Sequence, residues 1–104
     1  MNVRILPAAS DDAVGATGWI DLHTGKGDAF DAAFRRSVSL IGATPQMYPR
    51  TEDGPEVPEN REYYIARFEY RVIYAIWRDE AVIVAVIHAR HRPNSWQGRL
   101  AELV

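Results

Sequence analysis

The strongest constraint in this chain is the run Ala81-Val82-Ile83-Val84-Ala85-Val86-Ile87, seven consecutive apolar residues ending at His88. In an extended conformation Val82, Val84 and Val86 take one face and Ile83, Ala85 and Ile87 the other, so neither face can be left in water. Such a segment is an inner strand, with helices below it and a second cover above. Residues 61–68 and 70–77 have strand character too, being rich in β-branched and aromatic side chains. Arg78-Asp79-Glu80 is the turn that makes the last two strands a hairpin.

The helices come earlier in the chain. Residues 3–6 form a short strand, at or near a sheet edge, closed by Pro7. Ser10-Asp11-Asp12 reads as a helix start, with Ser10 as cap and the aspartates favourable against the helix dipole. Ala13, Ala16 and Ile20, with Trp19, form the apolar side. Gly15 and Gly18 each cost about 1 kcal/mol relative to alanine, so this helix depends on tertiary packing. Residues 23–27 make the turn into a second helix over 28–41, where Phe30, Phe34, Val38 and Ile41 recur at helical spacing and Gly42 reads as the stop.

Residues 44–60 contain Pro45, Pro49, Pro55 and Pro58 among acidic side chains, which excludes both a central strand and a helix. They form a long loop, read either as a mobile or partner-contacting segment or as one that merely crosses the molecule. A short terminal helix over 95–103 would place Trp96, Leu100 and Leu103 on one side. The order is β-α-α-β-β-β: an α+β fold in which a helical hairpin lies on a mostly antiparallel four-stranded sheet, one domain spanning residues 1–104. The doubly apolar strand predicts that a partner's amphipathic segment supplies the cover on the second face.

Several chemistries are excluded. There is no cysteine, hence no disulfide framework, thiolate metal site or cysteine nucleophile. No phosphate-binding glycine loop, acidic metal triad or serine-histidine-aspartate spacing occurs, so neither a cofactor nor a metal is expected. The first residues lack the apolar core of a signal peptide, no run is long enough to cross a membrane, and a cytoplasmic location is expected. The net charge is −2, too acidic for a protein that coats nucleic acid. Its distribution is uneven: residues 1–60 carry five basic and nine acidic side chains, residues 61–104 seven and five. An anionic target would therefore meet the C-terminal half. Lys26 is the sole lysine, so the positive charge is almost wholly guanidinium.

With that element order, Phe68-Glu69-Tyr70-Arg71-Val72-Ile73-Tyr74 resembles the RelE/ParE superfamily of bacterial toxins, whose third strand typically reads Tyr-Arg-hydrophobic-hydrophobic-Tyr. The likeness continues through Val82–Val86 into His88-Ala89-Arg90-His91-Arg92-Pro93, similar to the ParE-type ending of a histidine, arginines and a downstream tryptophan, here Trp96. Pro7-Ala8-Ala9, Asp12 and Trp19 look like the family's first helix.

The resemblance implies the toxin of a type II toxin-antitoxin system of the plasmid-stabilisation kind, neutralised by a cognate antitoxin. ParE-like members poison DNA gyrase without being nucleases, whereas RelE-like members cut messenger RNA on the ribosome. RNA cleavage needs a base, an acid and cations around the scissile phosphate. Trp96 stands where a RelE-like tyrosine is expected, and an indole has neither an acid proton nor a basic lone pair to offer. The lysines of nucleolytic members have no counterpart, although His88 and His91 are of the residue type that can supply acid and base near neutral pH. The resemblance thus favours the gyrase-binding type, with a ribosome-dependent endoribonuclease or a degenerate, non-toxic member as alternatives. Arg71, Arg90, His91, Arg92 and Trp96 are the expected target-binding residues. Arg71 also has a structural reading, pairing a loop carboxylate such as Glu56 or Glu59, and His88, outside that set and in phase with Val84 and Val86, reads as a core histidine.

Overall fold

The computed structural model describes residues 1–90 and 96–103. The elements are β1 (Asn2–Ile5), α1 (Pro7–Thr24), α2 (Gly27–Ala43), β2 (Asn60–Ile65), β3 (Tyr70–Trp77), β4 (Glu80–His88) and a terminal 3-10 helix (Gln97–Leu103). The predicted β-α-α-β-β-β order is the observed one. The sheet runs β1-β4-β3-β2, with β1 parallel to β4 and the other pairs antiparallel.

The element boundaries have local causes. Helix α1 starts at Pro7, three residues ahead of the expected Ser10, because proline lacks only an N–H that the first helical turn leaves unpaired anyway. The Ser10 amide therefore donates to Leu6 C=O (3.0 Å) as an ordinary helical residue. Gly42 does not stop α2 but lies within it. A Cβ at Gly42 would stand 2.9 Å from Val3 Cγ2, so the missing side chain lets α2 close on β1. Strand β2 ends at Ile65, and residues 66–69 form the turn into β3, with Glu69 in the left-handed region (φ 57°). The β3–β4 turn is the tight two-residue kind: Arg78 and Asp79 both have positive φ (50° and 63°) between the paired Trp77 and Glu80.

Every residue from Ala81 to Ile87 is buried, as an inner strand requires. The two helices cover one face, with Phe30 edge-on to both Phe68 (5.4 Å) and Tyr70 (4.9 Å). The second cover comes from this chain itself, not from a partner as the sequence led us to expect. Residues 44–59 cross the other face and the 3-10 helix completes it, burying Trp96, Leu100 and Leu103. The crossing segment is pinned at Asn60, which is 2% exposed. Its amide group donates to Pro55 C=O (2.7 Å) and Pro58 C=O (2.8 Å) and accepts from the Thr51 hydroxyl. Two ladder bonds, Thr51 N–H to Asn60 C=O (3.2 Å) and Glu62 N–H to Pro49 C=O (3.0 Å), lay it along the start of β2.

Candidate functional site

Arg71 alternates with Tyr70 and Val72, and since Tyr70 touches α2, Arg71 stands on the opposite face, beneath the crossing segment. Its guanidinium is held by two carboxylates. Nη1 and Nη2 donate to Asp53 (3.1 and 2.7 Å), while Nε and Nη2 donate to Glu62 (3.1 Å each). Asp53 comes from the loop. Glu62 lies diagonally across the β2–β3 ladder, where Tyr64 is Arg71's direct partner. The pairing with a carboxylate is as expected, but the partners are not: Glu59 binds Arg61 (2.7 Å), and Glu56 offers only its backbone C=O, to Arg50 (2.9 Å).

Trp96 closes this cluster. It is 0% exposed, and its indole N–H donates to Asp53 Oδ2 (3.2 Å), while Gln97 Nε2 donates to Asp53 C=O (2.8 Å). The bond from Arg71 keeps the Asp53 carboxyl below its ordinary value of 3.8, against burial, which pushes it up; the Trp96 bond assists. The Asp53 bond likewise raises Arg71, so the guanidinium is permanently charged. Trp96 is thus withdrawn from any contact surface. Arg71, 12% exposed, has its donors turned inward.

The remaining expected residues follow β4. His88 does not reach the core. It is half-buried at the last position of β4, edge-on to Tyr70 (5.3 Å), and its Nδ1 accepts the Arg90 N–H (3.1 Å). Arg90 is exposed, while His91 and Arg92 lie outside the described residues. The chain therefore splits the expected set: Arg71 and Trp96 are joined through Asp53 in the interior, and Arg90 is on the surface.

A second polar cluster was not anticipated. Strand β1 runs out at Ile5, opposite Ile83, and Val84 is an extra residue in the β3–β4 register. Beyond that bulge the exposed edge of β4 is served by side chains. Asp12 accepts the Val86 N–H (3.1 Å), Arg99 donates to Val84 C=O (3.0 Å), and the two side chains pair at 2.6 Å. Together they replace a missing strand. Asp12 was noted in the sequence for the helix dipole and for the likeness to the family's first helix, not for a strand edge, and nothing there singled out Arg99.

The comparisons with known proteins agree with this architecture. The family model for the ParE toxin of type II toxin-antitoxin systems, parDE, matches residues 3–93. The chain belongs to the ParE toxin family. A chain from a solved structure of the chromosomal ParDE TA system from P. aeruginosa superposes with a TM-score of 0.64 at 16% identity, covering 86% of this chain and 97% of that one. At that identity the likeness establishes the fold. No curated protein matches the chain. Among the described residues, this ParE-family toxin has no acidic or histidine group arranged to hold a metal and no helix long and apolar enough to cross a membrane.

Proposed function

We propose that this toxin, acting as one domain over residues 1–104 in the cytoplasm, inhibits DNA gyrase by binding it and is kept silent by a cognate antitoxin. The observation that carries the choice of gyrase over messenger RNA is the saturation of Arg71. Phosphate cleavage on the sheet face would require that guanidinium to be free. Here two carboxylates already occupy it, under a loop that a third element, Trp96, locks in place. A scissile phosphate would have to displace both acids from a site shaped around them. Target contact then falls to the guanidinium groups after β4, Arg90 and Arg92, with His91 between them.

The test is direct. Purified toxin should inhibit supercoiling by gyrase and trap cleaved DNA, and induced cells should filament with a DNA-damage response while their transcripts stay intact. Co-expression with the antitoxin should restore growth. Codon-positioned transcript cuts that depend on translating ribosomes would overturn the gyrase assignment and establish the nuclease.

A further inference from the structure

Three grooves of the molecule are lined by carboxylates: Asp31 beside α1 and α2, Asp11 and Asp12 along the edge of β4, and Glu52, Asp53 and Glu62 around Arg71. A fourth, about 350 Å³, has none. It forms where the end of α1 and the turns after α1 and β2 meet the Tyr70–His88 pair at one end of the sheet. Trp19, Lys26, Arg67, Phe68, Tyr70 and His88 line it. Ile20, 4% exposed, adds apolar surface, and the Thr24 hydroxyl is committed to Ile20 C=O (2.7 Å). Because Tyr70 touches α2, the groove lies on the helix side of the sheet, away from Arg71.

The polar groups of this groove are donors. Lys26 and Arg67 are exposed, and among the described residues no carboxylate pairs with either. Arg67 lies over the Phe68 ring (5.1 Å to its centroid), which holds the guanidinium at the wall. His88 Nδ1 accepts the Arg90 N–H (3.1 Å), so the ring proton is on Nε2, a donor. Burial pushes the pKa of the Tyr70 hydroxyl up, and it keeps its proton. The carbonyls that end α1, which would repel an anion, are occupied: Trp19 C=O by His23 Nδ1 (2.8 Å) and Asp21 C=O by the Gly25 N–H (2.8 Å). The acids nearest in sequence do not line the groove, and the Asp21 carboxylate accepts the Gly27 N–H (3.2 Å) instead. Walls that only donate select a ligand that only accepts, as a phosphate does. An acidic peptide would bring backbone N–H groups that find no acceptor here. Beside these donors stands Trp19, 59% exposed, its ring steadied by stacking on His23 (4.0 Å, 22°), which makes it a platform for a base.

We infer that this groove binds one nucleotide of single-stranded nucleic acid, its phosphate on Lys26 and Arg67 and its base on Trp19. A duplex keeps its bases stacked inside and offers Trp19 none. The platform takes any base, since every base has a π-face. The net charge of −2 weakens attraction to the molecule as a whole but does not oppose a contact confined to one acid-free groove. The inference does not rest on the gyrase reading, since the toxin is tested without any target enzyme.

Fluorescence anisotropy of a labelled oligothymidylate of about twelve nucleotides, titrated with the full-length toxin at low salt, reads the contact. Binding should saturate, weaken as salt rises, and be lower for the same strand in a duplex. Trp19→Ala should weaken it about tenfold or more. Lys26→Gln should weaken it too and reduce the slope of log K against log salt by about 0.7. Arg36→Gln, which removes the same charge from an exposed position on α2, should leave both nearly unchanged. All three side chains are exposed, so the variants keep the fold, and if Trp19→Ala does not, the comparison of Lys26 with Arg36 still decides. The inference fails if no saturable binding occurs, if Lys26→Gln and Arg36→Gln weaken it equally, or if a folded Trp19→Ala binds as the parent does. Displacement by polyglutamate of equal charge as readily as by unlabelled oligothymidylate would overturn it as well, and give the groove to an acidic peptide.

Discussion

Asp12 and Arg99, 87 positions apart in the sequence, meet at 2.6 Å over the edge of β4, and each also bonds a backbone group of that strand. The carboxylate serves the Val86 amide as a neighbouring carbonyl would, and the guanidinium serves Val84 C=O as a neighbouring amide would. Removing either leaves both a backbone group and a charge without a partner. Asp12→Ala or Arg99→Ala should each destabilise by about 1–3 kcal/mol, less than a fully buried pair because both side chains keep some solvent contact. In a double-mutant cycle from urea unfolding, the combined loss should fall short of the sum. Additive losses would show that the two side chains act separately.

The Arg71–Asp53 contact predicts a pH dependence whose sign follows from the lowered Asp53 pKa. A carboxylate that ionises more readily folded than unfolded contributes stability above its ordinary unfolded value of 3.8, and that contribution fades as pH falls through the lower folded value. Arg71→Ala should therefore lower stability at neutral pH and flatten the acid limb of the stability curve. Urea melts at a series of pH values below about 5 would reveal an unchanged slope if the contact were idle.

Two glycines near Trp96 should respond in opposite ways. A Cβ on Gly54 would sit 2.7 Å from Trp96 Cη2 and closer still to Asn60 and Thr51, whereas one on Gly98 would touch nothing. Gly54→Ala should cost about 1–3 kcal/mol through overpacking, and Gly98→Ala should be neutral or mildly stabilising. Thermal melts of the two variants separate the cases, and equal melting temperatures would mean the crossing segment is less tightly pinned than its contacts indicate.

The β3–β4 turn carries Asp79 at φ 63°, a conformation glycine adopts freely. Asp79→Gly should stabilise by about 0.5 kcal/mol, or about 2–4 °C in melting temperature for a domain of this size.

Arg90→Ala combined with Arg92→Ala should abolish growth inhibition, and Arg90→Ala alone, at an exposed position, should shift stability by no more than about 0.5 kcal/mol. A fully toxic, folded double variant would remove this segment from target recognition.

The sequence made the layers legible because β4 is apolar on both faces and α2 repeats Phe30, Phe34 and Ile41 at helical spacing. It concealed what depends on distant pairs. That Asp53 rather than Glu56 or Glu59 reaches Arg71 is decided by how the Asn60 hub folds the loop, which no local pattern encodes. The resemblance put Trp96 among the target-binding residues, yet its N–H meets an acid 43 positions earlier, in the interior that its grouping with Leu100 and Leu103 pointed to. Helix α1 started early because Pro7 outweighed Ser10.

The parallel pairing of β1 with β4 also governs how the molecule comes into being. Among the described residues, 2–5 pair as a strand with residues 80–83 alone, so this segment has no place in the sheet until the hairpin that follows β2 has been synthesised. Until then residues 7–43 lack the sheet surface on which the two helices pack, the packing on which α1 depends. Pairings across so much sequence are slow to form. Assembly of this toxin is therefore a late event in its own synthesis, with the edge of β4 finished only when Arg99 arrives.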